Sequence, residues 1–119
     1  MAVIGKVGSG KSSLLLAILG EVPVVFGELR IKEEAKIAYA EQEPLIITGT
    51  IENNITFGSE LDPDWYNEVV QACCLDEDFR AMPSGDQTKL GEMGHNLSGG
   101  QKSRISLARA IYQKDSSII

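Results

Sequence analysis

The 119-residue sequence lacks a block of basic residues and lacks any long apolar run. It carries 17 acidic residues against 11 basic ones, so the electrostatic footprint of nucleic-acid binding is missing. The longest purely apolar run, Leu14 to Leu19, is far shorter than the roughly 20 residues that span a bilayer. No signal-peptide pattern is visible. We therefore expect one soluble domain that binds no nucleic acid.

Cysteine and histidine are also scarce. Cys73 and Cys74 are adjacent in a predicted helix, which makes a poor disulfide framework and suggests a reducing compartment. We interpret both as buried thiols on a helix face, in preference to metal or redox chemistry. The only histidine, His95, lies in a polar stretch and is interpreted as a solvated loop residue.

Hydrophobic periodicity predicts alternating strands and helices, and no internal repeat is visible. Asp62 is the predicted N-cap of an amphipathic helix, with Pro63 at its first position. A short helix and a polar loop are expected over 76–96. The predicted strands are 1–4, 27–31 and 36–42, and a charged turn separates the latter two. The helix capped by Asp62 is predicted over 62–75. Further helices are predicted at 13–19, at 51–55 and near the end of the chain, where the last one ends at 113.

The segment GKVGSGKS fits the phosphate-binding pattern G-x-x-x-x-G-K-[ST]. Its glycines let backbone N–H groups face inward around phosphate oxygens, and the following helix adds its positive end. Lys11 would reach the β and γ phosphates, and the Ser12 hydroxyl would bind Mg²⁺. The alternative is an ordinary glycine turn with a surface lysine. The predicted phosphate-binding residues are Gly5, Val7, Gly8, Ser9, Gly10, Lys11, Ser12 and Ser13.

A second glycine cluster, LSGGQ, opens the last predicted helix. Ser98 and Gln101 have the S-x-x-Q spacing of a capping box, and Ile105, Ala108 and Ile111 form one apolar stripe. A helix N-terminus with two exposed glycines is an anion site, although a capped helix and nothing more would show the same pattern.

LSGGQ followed by KSRISLARAIY resembles the signature motif of ABC-type ATPases, and the resemblance extends along nearly the whole chain. AEQEPLI is similar to the family's glutamine loop, with Gln42 at the end of a strand. GTIENNITFG is similar to the segment that contacts the coupling helices of the membrane domains. Gly91, Glu92 and Gly94 match the family's approach to the signature. The implied fold is α/β, a P-loop NTPase ABC-ATPase core with a mainly parallel sheet plus a helical subdomain.

The resemblance also implies roles for residues and partners. ATP and Mg²⁺ are the implied ligands, with Gln42 as the catalytic residue and Ser12 and Gln42 as metal ligands. The signature would act in trans on ATP held by a second nucleotide-binding domain in a head-to-tail dimer. The implied location is the cytoplasmic face of a membrane, bound to transmembrane domains. The implied signature contacts to ATP are Ser98, Gly99, Gly100 and Gln101.

Within the family, the motifs look most like the first cassette of subfamily C, the multidrug-resistance-associated proteins and the cystic fibrosis chloride channel. Second cassettes of that group typically have Asp-Pro-Phe where this chain has Thr56, Phe57 and Gly58. The leading hypothesis is the ATP-binding part of a transporter that couples ATP binding and hydrolysis to transport. The alternatives are a regulatory nucleotide-binding domain that gates a channel and a soluble ABC ATPase of DNA repair.

The resemblance further implies an incomplete domain, truncated at both ends. A Walker B strand would begin at Ser117 to Ile119, before its metal-binding Asp, and Asp115 precedes that strand. In the family the adenine-stacking aromatic lies upstream of the phosphate loop, and Trp65 is better explained by core packing. We expect negligible hydrolysis by the chain alone. The expected division is an ATPase core at 1–49 and 95–119 and a helical subdomain at 50–94.

Overall fold

A computed structural model describes residues 2–32, 36–113 and 116–118. Two 3₁₀ turns, Gly85–Gln87 and Glu92–Gly94, lie between the later elements. Within these residues, no helix combines the length and the apolar character needed to cross a membrane. In chain order the helices and strands are α1 (Lys11–Ile18), β1 (Lys36–Ala38), β2 (Gly49–Thr50), α2 (Ile51–Thr56), α3 (Pro63–Ala72), α4 (Asp76–Arg80), β3 (Lys89–Leu90), α5 (Gly99–Tyr112) and β4 (Ser116–Ile118).

The four described strands form two short sheets. β1 and β4 are parallel, with Ile37 opposite Ser117, so every element between them belongs to one long crossover. β2 and β3 are antiparallel, with Gly49 opposite Leu90. The prediction of a strand beginning at Ser117 is confirmed for the residues up to 118, whereas Ile119 lies outside the described part of the chain.

The hydrophobic core lies where α5 packs across α2 and α3. Ile51 and Ile55 of α2 and Ala108 of α5 are fully buried, and Val69 of α3 is 1% exposed. Trp65 packs against this cluster, as predicted, and its indole Nε1 donates a hydrogen bond to the carbonyl oxygen of Tyr112 at 3.1 Å. Burial of this α2–α3–α5 cluster is the main apolar contribution to folding in the described residues.

Local capping explains where two of the helices begin. The Asp62 carboxylate accepts a hydrogen bond from the Trp65 N–H, with Pro63 at the first helical position, as predicted. Thr50 caps α2 in the same way by accepting from the Asn53 N–H at 3.0 Å. These side chains satisfy backbone N–H groups that have no partner inside the helix.

Several predicted elements differ in the structure. Residues 2–4 and 27–31 form no strand, the predicted strand 36–42 is reduced to β1, and α1 begins at Lys11 and ends at Ile18. In the described residues no neighbouring strand pairs with 2–4 or 27–31, and Ile4 is 95% exposed. An apolar or alternating segment forms a strand only when a neighbour pairs with it, so these two predictions are wrong. Met1 and residues 33–35 of the charged turn lie outside the described residues, as does Asp115.

The cysteines follow α3 instead of lying within it. Cys73 is the C-cap and is buried, and burial raises the pKa of its thiol, with the neighbouring Cys74 adding a smaller effect. Cys74 is exposed with a positive φ of 55°, so the buried-thiol interpretation is right for Cys73 and wrong for Cys74. Both thiols are free, in agreement with the expected absence of a disulfide.

Candidate functional site

The predicted phosphate-binding segment is an exposed loop that leads directly into α1. Gly8 and Gly10 have φ values of 80° and 89°, a left-handed conformation that glycine adopts without strain. At Gly5 an added Cβ would lie 2.5 Å from the Ser9 hydroxyl oxygen and 3.3 Å from the Ser9 Cβ, so a larger residue there would force Ser9 to move. The glycine spacing therefore corresponds to a real constraint on the backbone.

The N-terminus of α1 is left open to a ligand. Gly10 is its N-cap and provides no side-chain cap, and the described first turn contains no acidic residue. Among the described residues, none accepts a hydrogen bond from the backbone N–H of Lys11, Ser12 or Ser13. Free N–H groups and the positive end of the helix dipole favour an anion at this position.

The Lys11 ammonium lies against the same loop. Its Nζ donates hydrogen bonds to the carbonyl oxygens of Gly5 and Lys6, both at 2.9 Å. The positive charge is therefore held beside the open helix N-terminus. A phosphate oxygen could replace either carbonyl, since charge-assisted hydrogen bonds to phosphate are stronger than those to neutral carbonyls.

The signature segment forms the predicted capping box at the start of α5. The Ser98 hydroxyl accepts from the Gln101 N–H at 3.2 Å, and Gln101 Oε1 accepts from the Ser98 N–H at 2.9 Å. Gly99 and Gly100 are exposed immediately after the cap. The turn thus presents two glycine backbones to solvent on a fixed helix end.

Gln42 and the signature line one groove. The groove has a volume of about 380 Å³, and its lining includes Gln42, Glu43, Gly99 and Ser103. Gln42 itself is exposed and lies four residues after β1. Within the described part of the chain, no hydrogen bond joins the phosphate loop to Gln42 or to the signature. The lining of the groove includes no residue of the phosphate loop, so the predicted site residues fall into two groups, the phosphate loop and the Gln42–signature groove.

Predicted metal-binding residues are few. In the described residues, no group of three or more His, Cys, Asp or Glu side chains is arranged to hold a metal ion. Ser12 is exposed at the start of α1, beside Lys11, and Gln42 lies in the other group. His95 is exposed, as predicted.

Sequence reasoning missed Asn54, which is fully buried in α2. Its Nδ2 donates to the carbonyl oxygens of Ile47 and Thr50, and its Oδ1 accepts from the Ile47 N–H, at 2.9–3.0 Å. Arg109 of α5 donates to the same Oδ1 at 3.0 Å and to the Asn54 carbonyl at 2.7 Å. Asn54 thereby joins the segment after Gln42 to the signature helix.

Arg109 is a second residue that the sequence pattern did not reveal. Its guanidinium lies over the Phe57 ring, 4.6 Å from the centroid, while it also bonds to Asn54. Burial lowers the pKa of Arg109, an effect that the negative charge of Glu41 partly opposes. The sequence carries two local signals for this contact. Arg109 lies within the apolar stripe of a predicted helix, and Asn53 and Asn54 are consecutive.

Comparison with known proteins identifies the class. The sequence profile of the ABC transporter family matches residues 1–119, the whole chain. The chain therefore belongs to the ABC transporter family, which implies the P-loop NTPase fold and an ATP-binding domain.

The similar curated proteins belong to one branch of that family. The chain is 54% identical over 113 residues to "Multidrug resistance protein mrp-7" of Caenorhabditis elegans, with 95% of the chain and 7% of that protein covered. The same identity and coverage hold for "ATP-binding cassette sub-family C member 2" of Mus musculus. "Vacuolar heme ABC transmembrane exporter abc3" of Schizosaccharomyces pombe is 52% identical over 112 residues, 94% of the chain and 8% of that protein. The chain thus spans less than a tenth of the length of these relatives, and its likeness to subfamily C is confirmed.

Proposed function

We propose that this chain is the ATP-binding part of a subfamily C ABC transporter, in which ATP binding and hydrolysis drive transmembrane transport. The names of two relatives support this proposal, since one is a sub-family C member and another an exporter. No similar protein reported above is named for DNA repair, and the acidic composition offers no surface for nucleic acid.

The observation that carries the proposal is the phosphate loop with its open helix end. Gly8 and Gly10 adopt conformations suited to glycine, the N–H groups that begin α1 are uncapped, and Lys11 holds its charge at the loop. This combination of N–H donors, helix dipole and lysine fits the triphosphate of a nucleotide. The loop residues Gly5 to Ser13 would surround the β and γ phosphates, with Lys11 exchanging loop carbonyls for phosphate oxygens.

The residues also fit Mg²⁺, though with few protein ligands. Magnesium in nucleotide sites keeps phosphate oxygens and waters in its shell and needs only one or two protein groups. Ser12 would supply a hydroxyl and Gln42 an amide oxygen, with Gln42 also orienting water near the γ-phosphate. When bound, the metal neutralises charge on the phosphates. None of the residues assigned here is a carboxylate that could take a proton from water, so we expect the chain alone to bind nucleotide without appreciable turnover.

The signature would serve a second nucleotide-binding domain. Ser98, Gly99, Gly100 and Gln101 would donate to the γ-phosphate of ATP held by that domain, in a head-to-tail dimer. In the described residues no hydrogen bond links them to the phosphate loop of the same chain, which is compatible with this arrangement. The dimer would sit at the cytoplasmic face of a membrane against the transmembrane domains. Residues 1–49 and 95–119 would contribute to a mainly parallel ATPase core and 50–94 to a helical subdomain.

Thermal unfolding with Mg-ATP tests the binding proposal. A ligand that binds only the folded state stabilises it by about 2.7 kcal/mol at 100 times its Kd, so the melting temperature should rise steadily with Mg-ATP. Mg-AMP, which lacks the β and γ phosphates, should give a much smaller shift. The same samples should release phosphate no faster than buffer. Equal shifts with ATP and AMP would contradict the proposed phosphate site.

A further inference from the structure

Asp78 of α4 is bound by two side chains of the signature helix. Its carboxylate accepts from Arg104 Nε at 2.8 Å, from Arg104 Nη2 at 3.0 Å and from Gln101 Nε2 at 3.2 Å. The Asp78 side chain is only 14% exposed, against 38% for Arg104. A bidentate guanidinium and a partly buried carboxylate form a pair of defined geometry.

The third of these hydrogen bonds reaches the signature turn itself. The Gln101 amide has one end on Asp78 and the other on the Ser98 N–H, which donates to its Oε1 at 2.9 Å. Because only the NH₂ end can donate to a carboxylate, Asp78 selects which way the amide faces. The oxygen is thereby directed to Ser98, and the capping box is held closed.

We propose that Asp78 is a positioning residue for the signature turn, acting through Gln101 while Arg104 fixes the carboxylate. This inference rests on the proposed function, since it concerns the signature residues assigned there to the ATP of a second domain. Asp78 itself would not touch nucleotide. It would reduce the conformations open to Ser98, Gly99 and Gly100, so that their donors are already in place when a phosphate arrives.

The same helix supplies a matched control. Asp76 also pairs with an arginine, Arg80, at 3.2 Å, but this pair lies within α4, and the Arg80 side chain is 76% exposed. The described hydrogen bonds of Asp76 do not reach α5. Replacing either aspartate with alanine removes one carboxylate of α4 and the ion pair that it makes. Of the two, only Asp78 accepts a hydrogen bond from the signature residue Gln101.

Amide hydrogen exchange of the 119-residue chain, measured by NMR, tests the proposal. In Asp78→Ala and in the near-isosteric Asp78→Asn, we expect exchange at the Ser98 and Gln101 amides to accelerate about five- to tenfold, the effect of losing one net hydrogen bond. Buried amides of α3, at Val69 and Val70, should change less than twofold, as should all of these amides in Asp76→Ala.

The Gln101→Leu background separates positioning from simple stabilisation. Because Asp78 is proposed to act through Gln101, adding Asp78→Ala to Gln101→Leu should produce no further acceleration at Ser98. Uniform acceleration of amide exchange at α3 and α5, or full additivity of the two substitutions, would overturn the proposal.

Mg-ATP titration of the same samples should give an unchanged Kd for Asp78→Ala. Failure of all samples to bind Mg-ATP would refute the phosphate site, while the exchange pattern would still decide the role of Asp78.

Discussion

Replacing Lys11 with alanine should weaken Mg-ATP binding by about 10- to 100-fold, the equivalent of one or two charge-assisted hydrogen bonds to phosphate. Lys11 is the cation held at the loop, with Nζ 2.9 Å from the carbonyl oxygens of Gly5 and Lys6. Alanine at this position keeps the helical residue but removes the charge and both donors. The dissociation constant, measured by isothermal titration calorimetry, checks this expectation.

Lys6→Ala is the matched control for that experiment. Lys6 lies in the same exposed loop and carries the same charge, but its part in the geometry is its backbone carbonyl, which alanine retains. We expect its Kd for Mg-ATP to stay within about threefold of the unmodified chain, since an exposed charge is largely screened by salt. Equal weakening in both variants would mean that general positive charge attracts the nucleotide, in contradiction to a specific role for Lys11.

Asn54→Ala should be the most destabilising single change that we predict, costing about 3–4 kcal/mol in the free energy of unfolding. The substitution removes an amide that uses all of its hydrogen-bonding capacity in a site with no solvent exposure. It leaves the Ile47 and Thr50 carbonyls and the Ile47 N–H without their partner, and it deprives Arg109 of one acceptor. Urea denaturation, followed by circular dichroism, measures the change.

Asn67→Ala provides the comparison. Asn67 is an exposed residue of α3 whose side chain makes no described hydrogen bond, so its replacement should change the free energy of unfolding by no more than about 0.5 kcal/mol. A loss at Asn54 as small as that at Asn67 would show that the buried amide network does not hold the 47–50 segment to α2.

The features that the sequence predicted well are those with local causes. The start of α3 depends on Asp62 and Pro63, and the start of α5 on Ser98 and Gln101, residues within three positions of the N–H groups they satisfy. The positive φ values of Gly8 and Gly10 are equally local, since they arise within a few consecutive residues, whereas phosphate binding by their loop stays a prediction. Its likeness to a large family then supplied the fold.

The features that the sequence did not predict depend on contacts between distant residues. Asn54 and Arg109 are 55 positions apart, and Asp78 and Arg104 are 26 apart. Neither a short sequence motif nor the secondary-structure propensity of single residues can predict contacts over such distances in the sequence. The wrong strand predictions have the same origin. The apolar alternation at 27–31 favours a strand, but the pairing partner determines whether one forms. The roles of Gln42 and the signature glycines stay predictions.

The central claim is that the loop from Gly5 to Ser13 binds the phosphates of ATP. Backbone amide NMR of the 119-residue chain, titrated with Mg-ATP and separately with Mg-AMP, tests it most directly. The account predicts that ATP produces the largest shifts at the amides of Gly8, Gly10, Lys11 and Ser12, and that AMP leaves these signals nearly unchanged. Equal shifts with both nucleotides, or ATP shifts confined to residues outside this loop, would contradict it.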